Sequence, residues 1–333
     1  PLYAGGGITA GIDLYKTNED LARQQYFSTK QTTVTQILTA YYLLAQVQAL
    51  LKAAEQNRDI LQTYVKITTQ YEKTGRSRRM DRLQAQVNYS LAIADLEQIT
   101  TNLKNAQSGL NRFLVEASVT PVAEFKASIL PVETLDFEKA ADIAVKNNPD
   151  VKVAEIKVTQ VQYNKDIDLA SQDMPLMNLT GSAGYTAPDV SSLWASNSQF
   201  YNVGITLTVP LFSGLSSLSK RRGYAEVEYQ AKRDLQIAKD TLRQNVATSL
   251  ANLKSTKEQF AVATEAVSQA RQALDMANKG YQQGVVSSTD VVNLQNTRYN
   301  SEKLYINTQF SYLQALLSLR QLMGIDLEKA YAK

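Results

Sequence analysis

The side chains this chain lacks narrow its chemistry more than those it has. Among 333 residues there is no cysteine and no histidine. That removes disulfides, thiol nucleophiles, Cys/His metal sites and histidine acid–base catalysis together. Carboxylates, Lys, Tyr and Arg remain, but Asp and Glu are scattered along heptad surfaces with no converging pair. GGG at 5–7 lacks the Lys-Ser/Thr and the helix spacing of a nucleotide site. The residues therefore predict neither an enzyme nor a cofactor or metal centre. The densest charge cluster is TGRSRRMDRLQAQ at 74–86, where Arg76, Arg78, Arg79 and Arg82 crowd around Asp81 just after Gly75. Its chemistry is recognition: the guanidinium groups either keep an exposed turn soluble or meet carboxylates of a partner. A second turn, YQQGVVSSTDVVNLQ at 281–295, places Asp290 where an N-cap or first-turn charge suits the helix dipole.

The elements that position these turns are long. Lys plus Arg is 35 against 32 acidic residues, which gives no footprint for nucleic acid. Seven prolines and fourteen glycines are few, and long tracts of Ala, Gln, Asn, Ser and Thr run almost free of breakers. No run of 18 apolar residues marks a transmembrane helix. PLYAGG at 1–6 is echoed by PLFSG at 210–214, an offset of 209 residues. With no gap, that offset also aligns Tyr15 with Tyr224, Leu44 with Leu253, Gly75 with Gly284, Asp81 with Asp290, Gln86 with Gln295 and Leu110 with Leu319. Residues 1–115 and 210–324 are read as two copies of one helix–turn–helix element. In the second copy Leu253, Phe260, Val267 and Leu274 interleave with Ala263, Ala270 and Ala277 in a 3-4 alternation. The first copy has Leu44, Val47, Leu51, Ala54, Leu61, Val65 and Thr68, with Arg58 breaking the stripe. A helix over 215–281 would be roughly 100 Å long and must lie against other long helices. A soluble coiled-coil scaffold fits the heptads equally well.

The middle of the chain does not fit a scaffold. Residues 116–135 link the copies, and 136–175 predict a short helix pair broken at NNPD, with Pro149 in a first turn and Pro175 as a stop. The period then changes to 2. Met177, Leu179, Gly181, Ala183 and Tyr185 alternate with small polar residues, as do Tyr201, Val203, Ile205, Leu207 and Val209. No charge sits on either stretch, and each has the length of a tilted membrane-spanning strand. Tyr185, Trp194, Phe200 and Tyr201 lie near the strand ends, where aromatic rings suit a headgroup boundary. One hairpin at 176–209 leaves its edge groups unsatisfied in lipid, so the residues predict a barrel closed with other strands, from this chain or from other subunits.

In this order and spacing, the helix pair with its Asn-Pro turn and first strand, VPLFSG, YQQGVVSSTDVVNLQ and RQLMGID resemble the TolC-like outer membrane efflux family across essentially the whole chain. The resemblance implies a mainly α fold with a β-hairpin. Long antiparallel coiled-coil helices would form a periplasmic α-barrel, and the strands would contribute to a transmembrane β-barrel in the outer membrane. It implies a homotrimer without catalysis, exporting small molecules or proteins, whose helical end closes like an iris. A periplasmic adaptor and an inner-membrane pump or ABC transporter would engage that end. Gly284 matches the tip-turn glycine, and Asp290 matches the first acid of the family's constriction. Asn293 stands at the second acidic position, so a three-fold ring of Asp290 would exert a weaker field than two acids. Tyr281 matches a residue that holds the closed state by linking neighbouring coils. The tip turns (Gly75, Arg76, Arg78, Arg79, Asp81 and Arg82 of the first copy, Gly284 of the second) are the expected adaptor contact, with the arginines meeting carboxylates of the adaptor's hairpin tip or of the adjacent subunit. By analogy with the second copy, roughly 70 to 80 residues and an export signal are expected upstream of PLYAGG.

Overall fold

The computed structural model describes residues 1–114, 136–186, 199–212 and 214–331. The expected linker at 116–135 and Trp194 lie outside these residues. The element order is β1 (Tyr3–Ala4), α1 (Gly7–Lys73), α2 (Arg79–Leu114), α3 (Phe137–Asn147), α4 (Pro149–Asp173), β2 (Leu176–Tyr185), β3 (Gln199–Thr208), α5 (Ser216–Gln282), α6 (Ser288–Leu322) and α7 (Leu327–Tyr331). The chain divides into two compact units, Pro1–Thr29 with Val145–Leu242, and Lys30–Ala144 with Arg243–Lys333.

In the first unit, α4 begins where sequence chemistry demands it. Asn148 is the N-cap, its side chain accepts from the Asp150 N–H at 2.9 Å, and Pro149 fills a first-turn position that needs no donor. The helix ends at Met174, before Pro175. Its buried residues are Pro149, Val151, Leu169 and Ala170. Polar contacts tie it to both long helices: the Gln160 amide donates to Asn18 of α1 at 2.8 Å, and Lys239 of α5 pairs with Glu155 at 3.0 Å. After Pro175 the chain enters β2, which pairs antiparallel with β3 from Leu176↔Thr208 to Tyr185↔Gln199 without a bulge. The short strand β1 adds to the other edge of β2 through Tyr3↔Met177 and Ala4↔Leu176, giving the order β1-β2-β3.

Both long helices start from a left-handed kink. Gly5 and Gly6 have φ +57° and +85°, while the equivalent positions of the second copy, Gly214 and Leu215, have φ +62° and +64°. Glycine takes this conformation freely, whereas a leucine there costs roughly 1–2 kcal/mol. The second copy keeps the costly residue, and its side chain is exposed.

In the second unit the core is a helical seam. Leu44, Val47 and Ala54 of α1, Ile99 and Leu110 of α2, Phe310 and Leu317 of α6 and Leu327 of α7 form one buried cluster. A second cluster near the turns joins Tyr64, Ala85, Leu274, Ala277, Val291 and Val292. The expected α5 stripe is buried at Leu253, Ala263, Val267, Ala270, Leu274 and Ala277. Phe260 is half-buried and packs on Tyr305 at 5.3 Å. The α1 stripe differs from the sequence reading at one point. Asn57, not position 58, faces the core and accepts a 2.8 Å hydrogen bond from the Gln295 amide, while Arg58 turns outward to Asp59 at 2.6 Å. A 3-4 spacing from Ala54 reaches Leu61 through either 57 or 58. Burial selects the neutral amide, whose hydrogen bond offsets desolvation, over a guanidinium. Helix α1 includes an 18-residue window with mean hydropathy 1.3, apolar and long enough to cross a membrane by composition. Its buried apolar residues serve the seam just described.

Candidate functional site

The sheet of the first unit offers an uncharged face. The register sets Met177 against Leu207, Leu179 against Ile205, Gly181 against Val203 and Ala183 against Tyr201 on one side. These pairs form one continuous apolar surface, yet Tyr201, Val203, Ile205 and Leu207 are 79, 78, 67 and 62% exposed. Each such side chain is worth roughly 1.5–3 kcal/mol when removed from water, so a face of this kind is built for an apolar medium. The other side pairs Asn178 with Thr206, Thr180 with Gly204 and Ser182 with Asn202. Alternation divides the aromatic set assigned to the membrane boundary. Tyr185 and Tyr201 share the apolar face. Phe200 lies on the polar one, where its ring sits so close over Gly184 that a Cβ there would meet it at 2.9 Å. Among the described residues, the outer edge of β3 has no partner strand.

The second unit holds both helix turns, and they repeat at the level of single hydrogen bonds. After α1, the Arg76 N–H donates to the Tyr71 carbonyl at 2.8 Å and the Gly75 N–H to that of Glu72 at 3.0 Å. After α5, 209 residues later, the Val285 N–H donates to Gly280 at 3.0 Å and the Gly284 N–H to Tyr281 at 3.1 Å. Both are Schellman closures, and both need a left-handed C′ residue, Gly75 at φ +71° and Gly284 at φ +79°.

The next helix starts differently in the two copies. At α6 the N-cap Ser287 accepts from the Asp290 N–H at 3.1 Å and donates its hydroxyl proton to the Asp290 carboxylate at 2.6 Å. At α2 the residue equivalent to Ser287 is Arg78, which cannot cap. Instead Asp81 reaches back and accepts from the Arg78 N–H and the Ser77 hydroxyl, both at 3.0 Å. Each copy thus carries a different half of a capping box. Asp81 is buried, which by itself opposes its charge. The Arg78 N–H, the Ser77 hydroxyl and the Arg78 guanidinium at 3.4 Å together outweigh burial and hold its carboxyl below the usual range.

The four arginines of the first turn divide in two. Arg82 is committed, bridging to Glu72 across the turn at 2.5 Å and to Gln86 at 2.9 Å, while Arg78 faces Asp81. Arg76 and Arg79 are exposed and form no ion pair among the described residues. Tyr281 sits between Tyr64 and Tyr71 of α1, with ring centroids 5.9 and 5.8 Å away, and burial raises its phenol pKa. The Tyr64 hydroxyl binds Ser288 at the start of α6, at 2.8 Å to its Oγ and 2.9 Å to its carbonyl. Asp290 and Asn293 are both exposed.

One face was missed by the sequence reading. Helix α2 buries Asp81, Ala85, Asn88, Ala92, Ile99 and Ala106 along one seam. It also exposes Met80, Leu83, Val87 and Leu91 at 61, 46, 54 and 63% along a second. The signal was present in the i, i+3, i+7, i+11 spacing of those four residues.

Among the described residues, no group of three or more Asp or Glu side chains is placed to hold a metal ion. A family profile described as "Outer membrane efflux protein" matches residues 1–114 and 140–325. The chain is 25% identical over 336 residues to the outer membrane protein TolC of Vibrio cholerae, covering 96% of this chain and 76% of that protein. It is 26% identical over 321 residues to the alkaline protease secretion protein AprF of Pseudomonas aeruginosa, covering 92% of this chain and 65% of that protein. In fold it is similar to a crystal structure of a membrane protein from Pseudomonas aeruginosa, with a TM-score of 0.81 at 18% identity over 96% of this chain and 72% of that one. The profile match spans both helical copies and the sheet between them: the chain belongs to the outer membrane efflux protein family.

Proposed function

We propose that the chain is a subunit of an outer-membrane channel-tunnel that exports small molecules or proteins across the periplasm and outer membrane. The observation that carries this reading is the sheet: an uncharged, largely exposed apolar face on strands of membrane-spanning length, with an open edge among the described residues for further strands. Self-association, in a homotrimer, would supply those strands, and the second apolar seam on α2 supports it in the helical part. A helix that is apolar along two seams packs between two neighbours, as in the wall of a barrel. No bond-making step is involved.

Asp290 serves as a first-turn cap partner and, repeated by symmetry, as a ring whose field favours cations. A fixed Ser287 contact and an exposed carboxylate are compatible with both. Arg76 and Arg79 provide the free charge for a periplasmic adaptor, which couples the channel to an inner-membrane pump or an ABC transporter. Tyr281 holds α5 to α1 beside the constriction. Planar-bilayer recordings of the full-length protein test this. Stepwise ion conductance is expected, and Asp290→Asn should lower cation-over-anion permeability without closing the channel. A chain without conductance in any lipid contradicts the channel, while unchanged selectivity in the variant contradicts the ring.

A further inference from the structure

The apolar surface of the sheet does not stop where β3 stops. Leu211 and Phe212 are 92 and 83% exposed just beyond it, followed by Leu215 and Leu218 at the start of α5. The first turns of α5 have two distinct faces. One is held by the end of α4: the Ser217 hydroxyl and the Arg221 guanidinium reach Asp173, each at 2.7 Å, and Lys220 and Tyr224 reach Asp168, each at 3.2 Å. The Ser217 hydroxyl and the Arg221 guanidinium hold the Asp173 carboxyl below its usual range, and the four contacts together turn this face of the helix towards α4. The other face carries Leu215, Leu218 and Arg222 at i, i+3 and i+7, all exposed, and Arg222 has no ion pair among the described residues.

We propose that Leu211, Phe212, Leu215, Leu218 and Arg222 form a docking surface for anionic phospholipid of the leaflet nearest the helices. This rests on the membrane reading of the sheet. The apolar side chains seat among the upper acyl segments, and the Arg222 guanidinium binds a headgroup phosphate. Three observations support it. The surface follows directly on β3 in the chain, because Val209, Leu211 and Phe212 are all exposed just past Thr208. Leu218 and Arg222 are about 6 Å apart along the helix axis, close to the roughly 5–7 Å depth of the headgroup layer on one side of a bilayer. Finally, Leu215 holds a left-handed backbone that its counterpart Gly6 adopts without strain. Among the described residues nothing covers this leucine, so no contact there offsets its strain, and a contact with lipid would.

The chain has no cysteine, so single-cysteine variants label at one site. The full chain carrying bimane at Leu207→Cys, Leu215→Cys, Leu218→Cys or the control Arg233→Cys is reconstituted in phosphatidylcholine vesicles with and without phosphatidylglycerol. Spin-labelled lipids then quench from the headgroup or from deep in the acyl chain. Labels at 215 and 218 should be quenched severalfold more from the headgroup, the label at 207 more from depth, and the control by neither. Phosphatidylglycerol should strengthen quenching at 218, and Arg222→Glu should abolish that increase. Adding Leu215→Gly should leave Tm unchanged or higher while weakening lipid contact at 218. Quenching at 207 but not at 215 or 218, above all with self-quenching between copies, overturns the docking surface and leaves the membrane reading intact. Failure at 207 as well overturns both. An Arg222→Glu variant with undiminished phosphatidylglycerol response overturns the phosphate contact, and undiminished contact at 218 in Leu215→Gly overturns the role of Leu215.

Discussion

At the scale of single residues, the two helix turns show how one backbone solution is reached with different side chains. Asp81 replaces a missing N-cap hydroxyl by accepting from the Arg78 N–H and the Ser77 hydroxyl. Its folded-state pKa is depressed, so its stabilising contribution is present above the unfolded carboxylate value, near 4, and is lost as pH falls further. Asp81→Ala should cost about 1 kcal/mol at neutral pH. Thermal melts should show the gap to the parent closing below pH ~4, and an equal gap at pH 3 and pH 7 would contradict this role. Parts of this site were legible in the sequence. Glycine before a charged or hydroxylic run predicts the turns, and an acid in the first helical turn predicts a cap. The Glu72–Arg82 bridge was not legible, because ten residues separate its partners and only the finished turn brings them together. Asn57 and Arg58 were indistinguishable by spacing, and the facing Gln295 amide separates them. Leu215 could have been found by asking why the echo PLFSGL has a leucine where PLYAGG has a glycine.

At the scale of elements, periodicity revealed most of what the structure contains. A period of two over ten residues is unambiguous for β2 and β3, and the 3-4 alternation did the same for α5. The strand β1 has two residues, too few for any period, and is defined only by its pairing with β2. The second seam of α2 was hidden because Met80, Leu83, Val87 and Leu91 lie among polar residues that also satisfy a soluble helix. Among the described residues, nothing covers this second seam once the first is buried. Leu91→Asp places a charge on it, and desolvating an ion costs several kcal/mol when a neighbour packs there. The variant should keep its helicity by circular dichroism and lose self-association on a sizing column. Unchanged assembly would show that another face of the molecule joins the copies.

At the scale of the whole molecule, the 209-residue repeat is carried by matching backbone hydrogen bonds, while the exposed chemistry of the copies has diverged. The first turn presents Arg76 and Arg79, and the second presents Val285, which is 77% exposed, beside Ser287. A partner that reads both turns must therefore offer acidic groups to one and apolar surface to the other. The repeat is legible in sequence because breakers and small residues stay in register while identity decays; the division into two compact units is not, because both long helices pass through it without a break. The uncharged sheet face and the family to which the chain belongs lead to the same expectation about where the protein resides and how it assembles. Fractionating cells that express the full-length gene, then measuring the mass of the detergent-extracted protein by light scattering, tests that expectation most directly. Recovery from the outer-membrane fraction with a protein mass of three chains is the expected result. A protein that stays soluble without detergent as a single chain would contradict it.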